Sequence, residues 1–420
     1  MEQTEDKSIK GKKKYLIISV LVNLGVLAGF KYLTFFSQSI NDLFNILGIN
    51  AGLPIYQILL PVGISFYTFQ TMSYTIDVYR GKIPAEKHFG IFAVYVSFFP
   101  QLVAGPIERA TNLLPQFKKE QKPDYERIIN GLKLMLWGFF KKVVIADRLA
   151  IVVNTVYADP TGYSSTALII ATIFFAYQIY CDFSGYSDIA IGVAQVMGFN
   201  LMDNFKRPYF SKSIREFWKR WHISLSSWFQ DYLYIPLGGN RVAIPRWYFN
   251  LFIVFLISGL WHGANWTFVA WGALHGIYLI IGIATTKTRK KIQEKTGITK
   301  YPKLLTGIKI ATVFALVNIG WILFRAQSIS DAWYIITHLF TNIILDKSAV
   351  SLGISLSALI INILLILILE LFHLIQEHKG MRAFLSTKPR WLRWSAYITI
   401  IILIIAFGMY EVSEFIYFQF

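Results

Sequence analysis

Ser258 to Gly276 reads SGLWHGANWTFVAWGALHG, at the centre of an apolar run from Phe249 to Ile283. As one helix that run would measure about 52 Å at 1.5 Å per residue, well beyond a hydrocarbon core of about 30 Å. It is too short for two full spans. Two partial helices meeting at the polar centre, His262 to Asn265, are therefore expected. Membranes tolerate such a break only where the loose backbone is buried in protein or faces a cavity. His262 falls at this break, between Trp261 and Trp266. An ionisable group at membrane depth is costly, roughly 2.5–3.5 kcal/mol for Arg, Lys or Asp on insertion scales. Histidine also titrates near neutrality and can act as a general base. Function explains His262 better than packing does.

Outward from this break, the whole chain carries the membrane signature. It is 55% hydrophobic and 15% charged, against about 25% charged for a soluble domain. Candidate apolar segments run over 15–36, 54–77, 88–106, 129–156, 165–183, 247–283, 306–324, 349–372 and 395–416. Residues 129–156 also hold Lys141, Lys142, Asp147 and Arg148, so this element is expected to end at, or turn through, an interface. The net charge of +17 sits mostly in short segments such as Lys287 to Lys295 and Lys388 to Arg393, as the positive-inside rule expects of cytoplasmic loops. No basic soluble domain offers a nucleic-acid surface, which argues against such a partner. The basic start, residues 1–14, precedes an apolar run in which Lys31 is expected to snorkel. The expectation is a retained signal anchor, followed by a single membrane domain over 15–420.

Ser213 to Tyr234 differs from the spans. Phe217, Trp218, Trp221, Leu225, Trp228, Phe229 and Tyr232 recur at helical spacing, with Arg215, Glu216, Lys219, Arg220, Gln230 and Asp231 between them. The pattern predicts an amphipathic aromatic helix at the interface, ended by Pro236 and Gly238-Gly239, with His222 beside the aromatic stripe. Tyr180 to Asp188, YCDFSGYSD, is a second polar island. There Gly185 is expected to interrupt the helix and Ser184 to cap the next one. Asp182 and Asp188 are expected to pair with Arg207, Arg215 or Arg220. The alternative is that a carboxylate orients a catalytic imidazole.

The remaining histidines read as structural. His88, His338, His373 and His378 lie near expected termini or interfaces, and His275 is expected to be a hydrogen-bonded core residue. Cys181 is the single cysteine, which excludes an internal disulfide and any CxxC site and reads as a buried thiol. No HExxH or Cys/His spacing supports a metal.

These stretches resemble membrane-bound O-acyltransferases, and within them the membrane subunits of polysaccharide O-acetylases. The matching residues are PQLVAGPIER (Pro100 to Arg109), YCDFSGYSDIAIG (Tyr180 to Gly192), FWKRWHISLSSWFQDYLYIPLGGNR (Phe217 to Arg241), SGLWHGANWTFVAWGALHG, WILFRA (Trp321 to Ala326) and the terminal FIYFQF. Members usually carry further apolar sequence ahead of the region matching Lys12 to Phe36. The resemblance implies an all-α polytopic bundle, with re-entrant and amphipathic helices around a central funnel or tunnel. His262 would be catalytic and His222 close to the acyl path. Asn265, Asp182, Asp188, Trp218, Arg220 and Asp231 would bind substrate or support the site. No bound cofactor is implied. The donor would be acetyl-CoA or another acyl thioester, the acceptor an extracytoplasmic polysaccharide or wall glycan, and the partner an SGNH-type esterase homologue. Two alternatives stay open: D-alanyl transfer to teichoic acid, and a transporter whose histidines relay protons.

Overall fold

The structure is a computed structural model. It describes the chain apart from residues 1, 57, 60, 103, 342, 344–351, 379–386, 411–414 and 417–420, and apart from the side chains of residues 2–10 and 376–378. Every regular element among the described residues is helical. In order they are α1 (Glu2–Leu27), α2 (Leu33–Ile46), α3 (Ile64–Tyr79), α4 (Phe89–Ser97), α5 (Phe99–Leu102), α6 (Ala110–Phe117), α7 (Tyr125–Phe139), α8 (Asp147–Ala158) and α9 (Ser165–Met197). The second half holds α10 (Ile214–Arg220), α11 (Ile223–Phe229), α12 (Ile244–His262), α13 (Trp266–Ala284), α14 (Thr286–Lys295), α15 (Pro302–Arg325), α16 (Ile329–His338), α17 (Leu356–His378) and α18 (Arg390–Phe407).

Seven stretches among the described residues are helical, long and apolar enough to cross a membrane: Gly11–Ile46, Ser165–Met197, Ile244–His262, Trp266–Ala284, Pro302–Arg325, Leu356–Ile375 and Arg390–Phe407. The chain is a multi-pass membrane protein. α9 is buried along most of its length whereas α18 is not buried at all, so α9 is the axis of the bundle and α18 a lipid-facing wall. Residues 54–77 and 88–106 do not form spans, because α3 begins only at Ile64 and α4 is nine residues long.

The run centred on His262 breaks where expected, but its helices extend further, from Ile244 to Ala284. Each half has 19 residues, about 28 Å, close to a full hydrocarbon core. The pair is a hairpin of whole spans rather than two partial helices. Gly259 and Gly272 let the two backbones touch, since a Cβ on Gly259 would collide with the Phe268 carbonyl and one on Gly272 with that of Phe255.

Two expectations for Tyr180 to Asp188 fail. α9 runs unbroken through Gly185. A Cβ there would lie 2.9 Å from the Gly138 carbonyl, and one on Gly192 would lie 2.6 Å from that of Gly131. These glycines serve close approach of α7 and α9, and the hydroxyl of Ser184 accepts from Lys141 Nζ at 2.9 Å instead of capping a helix. Asp182 and Asp188 pair with lysines, where Arg207, Arg215 or Arg220 was expected. Lys141 Nζ lies 2.8 Å from Asp188 Oδ2, and Lys142 bridges Asp147, at 2.8 Å, and Asp182. A π-helical segment at Phe140–Ala146 joins α7 to α8 here, and it carries both lysines inward against α9. The charges of residues 129–156 thus turn into the bundle and not towards an interface. Asp182 Oδ2 also accepts from the Ile416 amide at 2.9 Å, which fastens Ile416 to α9. Of the FIYFQF stretch, residues 417–420 lie outside the described residues.

Candidate active site

The stretch predicted as one amphipathic helix is instead three pieces: α10, α11 and a π turn at Gln230–Tyr234. The break falls on His222, whose φ of 43° is left-handed. Such strain in a non-glycine residue costs about 1–3 kcal/mol and persists only where its surroundings impose it. Here the imposing residue is Asn204, which is buried. Its backbone carbonyl accepts from the Ile223 amide at 3.0 Å, and its Oδ1 accepts from the Ser224 amide at 3.2 Å and from Ser224 Oγ at 2.9 Å. The aromatic stripe packs into the protein core and not against lipid headgroups, and Phe217, Trp218, Trp221 and Trp228 are all buried.

His262 closes α12 from the other side. Its ring lies 5.0 Å from Trp261, 5.1 Å from Trp271 and 5.3 Å from Phe324, in each case edge to face. The His222 ring lies 6.5 Å from that of His262 and 4.6 Å from Phe183. Both imidazoles are buried, with relative exposures of 1% for His222 and 6% for His262. Forty residues apart in sequence, they share one aromatic chamber.

The last carbonyls of a helix have no partner within it. In α12 they find partners on the transmembrane stretch Gly11–Ile46. A π turn at Ala28–Tyr32 presents Lys31 Nζ to the carbonyls of Trp261 (2.7 Å) and His262 (3.0 Å), and the Tyr32 hydroxyl to that of Leu260 (2.8 Å). Lys31 therefore does not snorkel. It is a positive charge at a helix C-terminus, where the helix dipole favours one. Sequence reading missed this, as it missed Asn204, because nothing local marks either residue. Lys31→Met should leave the carbonyls of Trp261 and His262 unsatisfied at about 1–3 kcal/mol and release the His262 backbone. Turnover is expected to drop at least tenfold with insertion intact, and Lys31→Arg should restore part of it. Equal kcat in the parent and Lys31→Met would show that the cap is dispensable.

The other candidates are dispersed. Asn265 N-caps α13 by accepting from the Thr267 amide at 2.9 Å, and its Nδ2 donates to the Gln327 carbonyl at 3.4 Å. Trp218 packs on His275 at 5.0 Å. His275 is fully buried as expected, yet neither ring nitrogen has a hydrogen-bond partner among the described residues. Trp218 and Trp271 hold it by their rings, so it is not the hydrogen-bonded core histidine anticipated. Arg220 pairs with Glu216 on its own helix at 2.6 Å, and Asp231 lies 3.6 Å from Arg109. Among the described residues, Asp182 and Asp188 pair with the lysines of the π turn. Cys181 is fully buried, as anticipated.

This chamber coincides with a recognised sequence family. Residues 87–302 match the model of the membrane-bound O-acyltransferase family, MBOAT. The chain belongs to that family. It is 43% identical over 332 residues to a probable alginate O-acetylase of Pseudomonas aeruginosa, covering 79% of this chain and 61% of the relative. It is 37% identical over 347 residues to a peptidoglycan O-acetyltransferase of Helicobacter pylori, covering 76% and 63%. A teichoic acid D-alanyltransferase of Streptococcus thermophilus is 28% identical over 297 residues, covering 65% and 70%. The chain spans about three fifths of the length of the acetylases it matches. The matched family segment contains both histidines, α9 and the whole of α12 and α13.

Proposed function

We propose that this chain is a membrane O-acyltransferase of the bacterial inner membrane, passing acetyl groups from a cytosolic thioester to an extracytoplasmic polysaccharide or wall glycan, directly or through an SGNH-type partner. The observation that carries this reading is the pair of imidazoles 6.5 Å apart in one buried aromatic chamber at the end of a transmembrane helix. His262 is the base. It takes the proton of an acceptor hydroxyl as the oxygen attacks the thioester carbonyl, and it returns that proton to the thiolate when the tetrahedral intermediate collapses. General base catalysis of this kind contributes about 10²–10⁴-fold. His222, with its ring 6.5 Å from that of His262, is the residue whose N–H steadies the developing oxyanion. Acetyl rather than D-alanyl transfer is favoured because identity to the acetylases, 37–44%, exceeds the 28% to the D-alanyltransferase.

Sidedness follows from charge. The hairpin places the start of α12 and the end of α13 on one side, next to Lys287, Arg289, Lys290, Lys291 and Lys295 of α14, and short basic loops stay cytoplasmic. The second basic loop, Lys379 to Arg393, is assigned to the same side, although 379–386 lie outside the described residues. Mass spectrometry of surface glycans from cells with and without the gene tests the proposal. Acetyl esters should vanish on deletion and return with the parent gene. Loss of D-alanyl esters instead would move the chain to the other class of transferase, and unchanged glycans would overturn acyl transfer.

A further inference from the structure

A polar cavity of about 440 Å³ lies between α6, the start of α7 and the C-terminus of α9, and its walls include Asn112, Gln116, Lys119, Gln121, Arg127 and Gly198. That size is within the range of small-ligand pockets. Its charge is of one sign. Lys119 and Arg127 line it and no carboxylate among the described residues does, whereas the neighbouring Lys118 stands outside it and pairs with Glu86 at 2.6 Å. Arg127 is fixed in place, with Nη2 donating to the Lys122 carbonyl at 2.8 Å and the backbone amide to Asp124 Oδ1 at 2.6 Å. Its Nε is buried with no hydrogen-bond partner among the described residues. Buried donors without partners are rare, and a guanidinium beside an ammonium suits phosphate oxygens. No wall residue belongs to the histidine chamber, so a ligand held here is not the group that reacts.

One strap of chain joins this cavity to the site. Gly198 ends α9 in the left-handed region, at φ 102°, and a Cβ there would lie 2.8 Å from Gln121 Oε1. Residues 199–204 then run free of helix. The cavity wall grips Asn200, whose amide donates to Gln116 Oε1 at 2.8 Å and whose carbonyl accepts from Gln116 Nε2 at 3.0 Å and Asn112 Nδ2 at 3.3 Å. Asn112 Nδ2 also donates to Glu108 Oε2 at 3.0 Å, and Glu108 Oε1 accepts from the Met202 amide at 2.8 Å. Two residues further on, Asn204 holds His222 in its left-handed turn. Asn200 and Asn204 are separated by at most about 14 Å of chain, so restraint at one end reaches the other. The Lys118–Glu86 pair ties the end of α6 to the chain that follows α3. Arg80, at the end of α3, donates to the Asp231 carbonyl, and Trp247, near the start of α12, donates to Tyr234, so the cavity lies at the end assigned to the cytoplasm.

We propose that this cavity binds a phosphate-bearing anion and that its occupancy is passed along residues 198–204 to His222. A free phosphate compound and an anionic lipid headgroup share this chemistry. Titration of inorganic pyrophosphate into the full chain in maltoside detergent tests the site, without reference to acyl transfer. The parent should bind it. Lys119→Gln with Arg127→Gln should weaken binding at least about tenfold, through loss of charge-assisted hydrogen bonds. Because Arg127 also anchors the Lys122 carbonyl, Lys119→Glu, at an exposed position, gives the same reading with the fold undisturbed. Lys122→Gln removes an exposed cation outside the cavity and should bind as the parent does. A parent that binds no pyrophosphate, or Lys119→Glu binding as tightly as the parent, overturns the site. Native mass spectrometry after reconstitution with phosphatidylglycerol separates the sources. A lipid retained by the parent and not by Lys119→Glu assigns the site to a headgroup, and pyrophosphate binding without lipid retention assigns it to a free compound. The link to His222 is read by hydrogen exchange at the Ile223 and Ser224 amides, whose acceptors are on Asn204. Pyrophosphate should slow their exchange in the parent and not in Lys119→Glu, because a ligand that orders one end of the strap restrains the other. Bound pyrophosphate with unchanged exchange at both amides overturns that link.

Discussion

His262→Gln is expected to reduce acyl transfer by at least 10²–10⁴-fold, the contribution of a well-placed general base, while protein level and membrane insertion stay near those of the parent. The reason lies in what holds the site. The backbone of His262 is fixed by Lys31 through its carbonyl, independently of the imidazole, and the aromatic neighbours Trp261, Trp271 and Phe324 contact one another or other rings as well. Glutamine keeps polarity and much of the volume but cannot take a proton at neutral pH. His222→Gln should cost less, because the loss of one oxyanion donor is worth about 10²–10³. The left-handed backbone at position 222 is held by Asn204 through Ile223 and Ser224, so it stays in place in this variant. The measurement is single-turnover transfer of a radiolabelled acetyl group by detergent-purified protein, with melting temperature recorded in parallel. Parental turnover by a well-folded His262→Gln variant would remove His262 from the chemistry.

The second large effect concerns stability. Lys142→Met should cost about 3–5 kcal/mol, as expected when one partner of a buried ionic network is removed. Lys142 stands between two carboxylates, those of Asp147 and Asp182, with exposures of only 8% and 3%, and its removal takes away the ammonium that both of them share. Asp182→Asn should be milder, since Lys142 keeps Asp147 and the Ile416 amide keeps an acceptor on the asparagine side chain. Combining Lys142→Met with Asp182→Asn should recover part of the loss, because residues of one network are not additive. Arg220→Ala makes the contrast. Its pair with Glu216 is only partly buried, and it should cost no more than about 1 kcal/mol. Thermal melting in detergent and in-membrane protein level decide the matter. A Lys142→Met variant as stable as the parent but inactive would make this network part of the chemistry.

Both predictions rest on features that differ in how far the sequence reveals them. The membrane class, the helical fold and the break at His262 to Asn265 are legible because hydrophobicity and length act locally. An apolar run of fixed length has few ways to satisfy its backbone in lipid. That His262 and His222 are unusual is legible for the same reason, since an ionisable ring set among tryptophans in an apolar run stands out residue by residue. The partners of Asp182 and Asp188 are not. An aspartate in a helix gives no sign of which cation will face it, and arginines nearer in sequence looked as suitable as Lys141 and Lys142. What selected the lysines was the π turn at Phe140–Ala146 together with the glycine contacts between α7 and α9. A π turn is a shift of hydrogen-bond register, with no composition of its own to announce it.

The site divides in the same way. By itself the sequence determined that the chain is a bundle of apolar helices carrying two unusual histidines, because burial and helix length follow from each segment taken alone. Only the tertiary structure decided that the two rings share a chamber, that Asn204 holds His222 in its left-handed turn, and that Lys31, 231 residues before His262, caps the helix ending there. These are contacts between segments, and their physical basis is the meeting of polar groups that each helix leaves unsatisfied at its end or break. Which unsatisfied group meets which is settled by packing, and packing has no local signature.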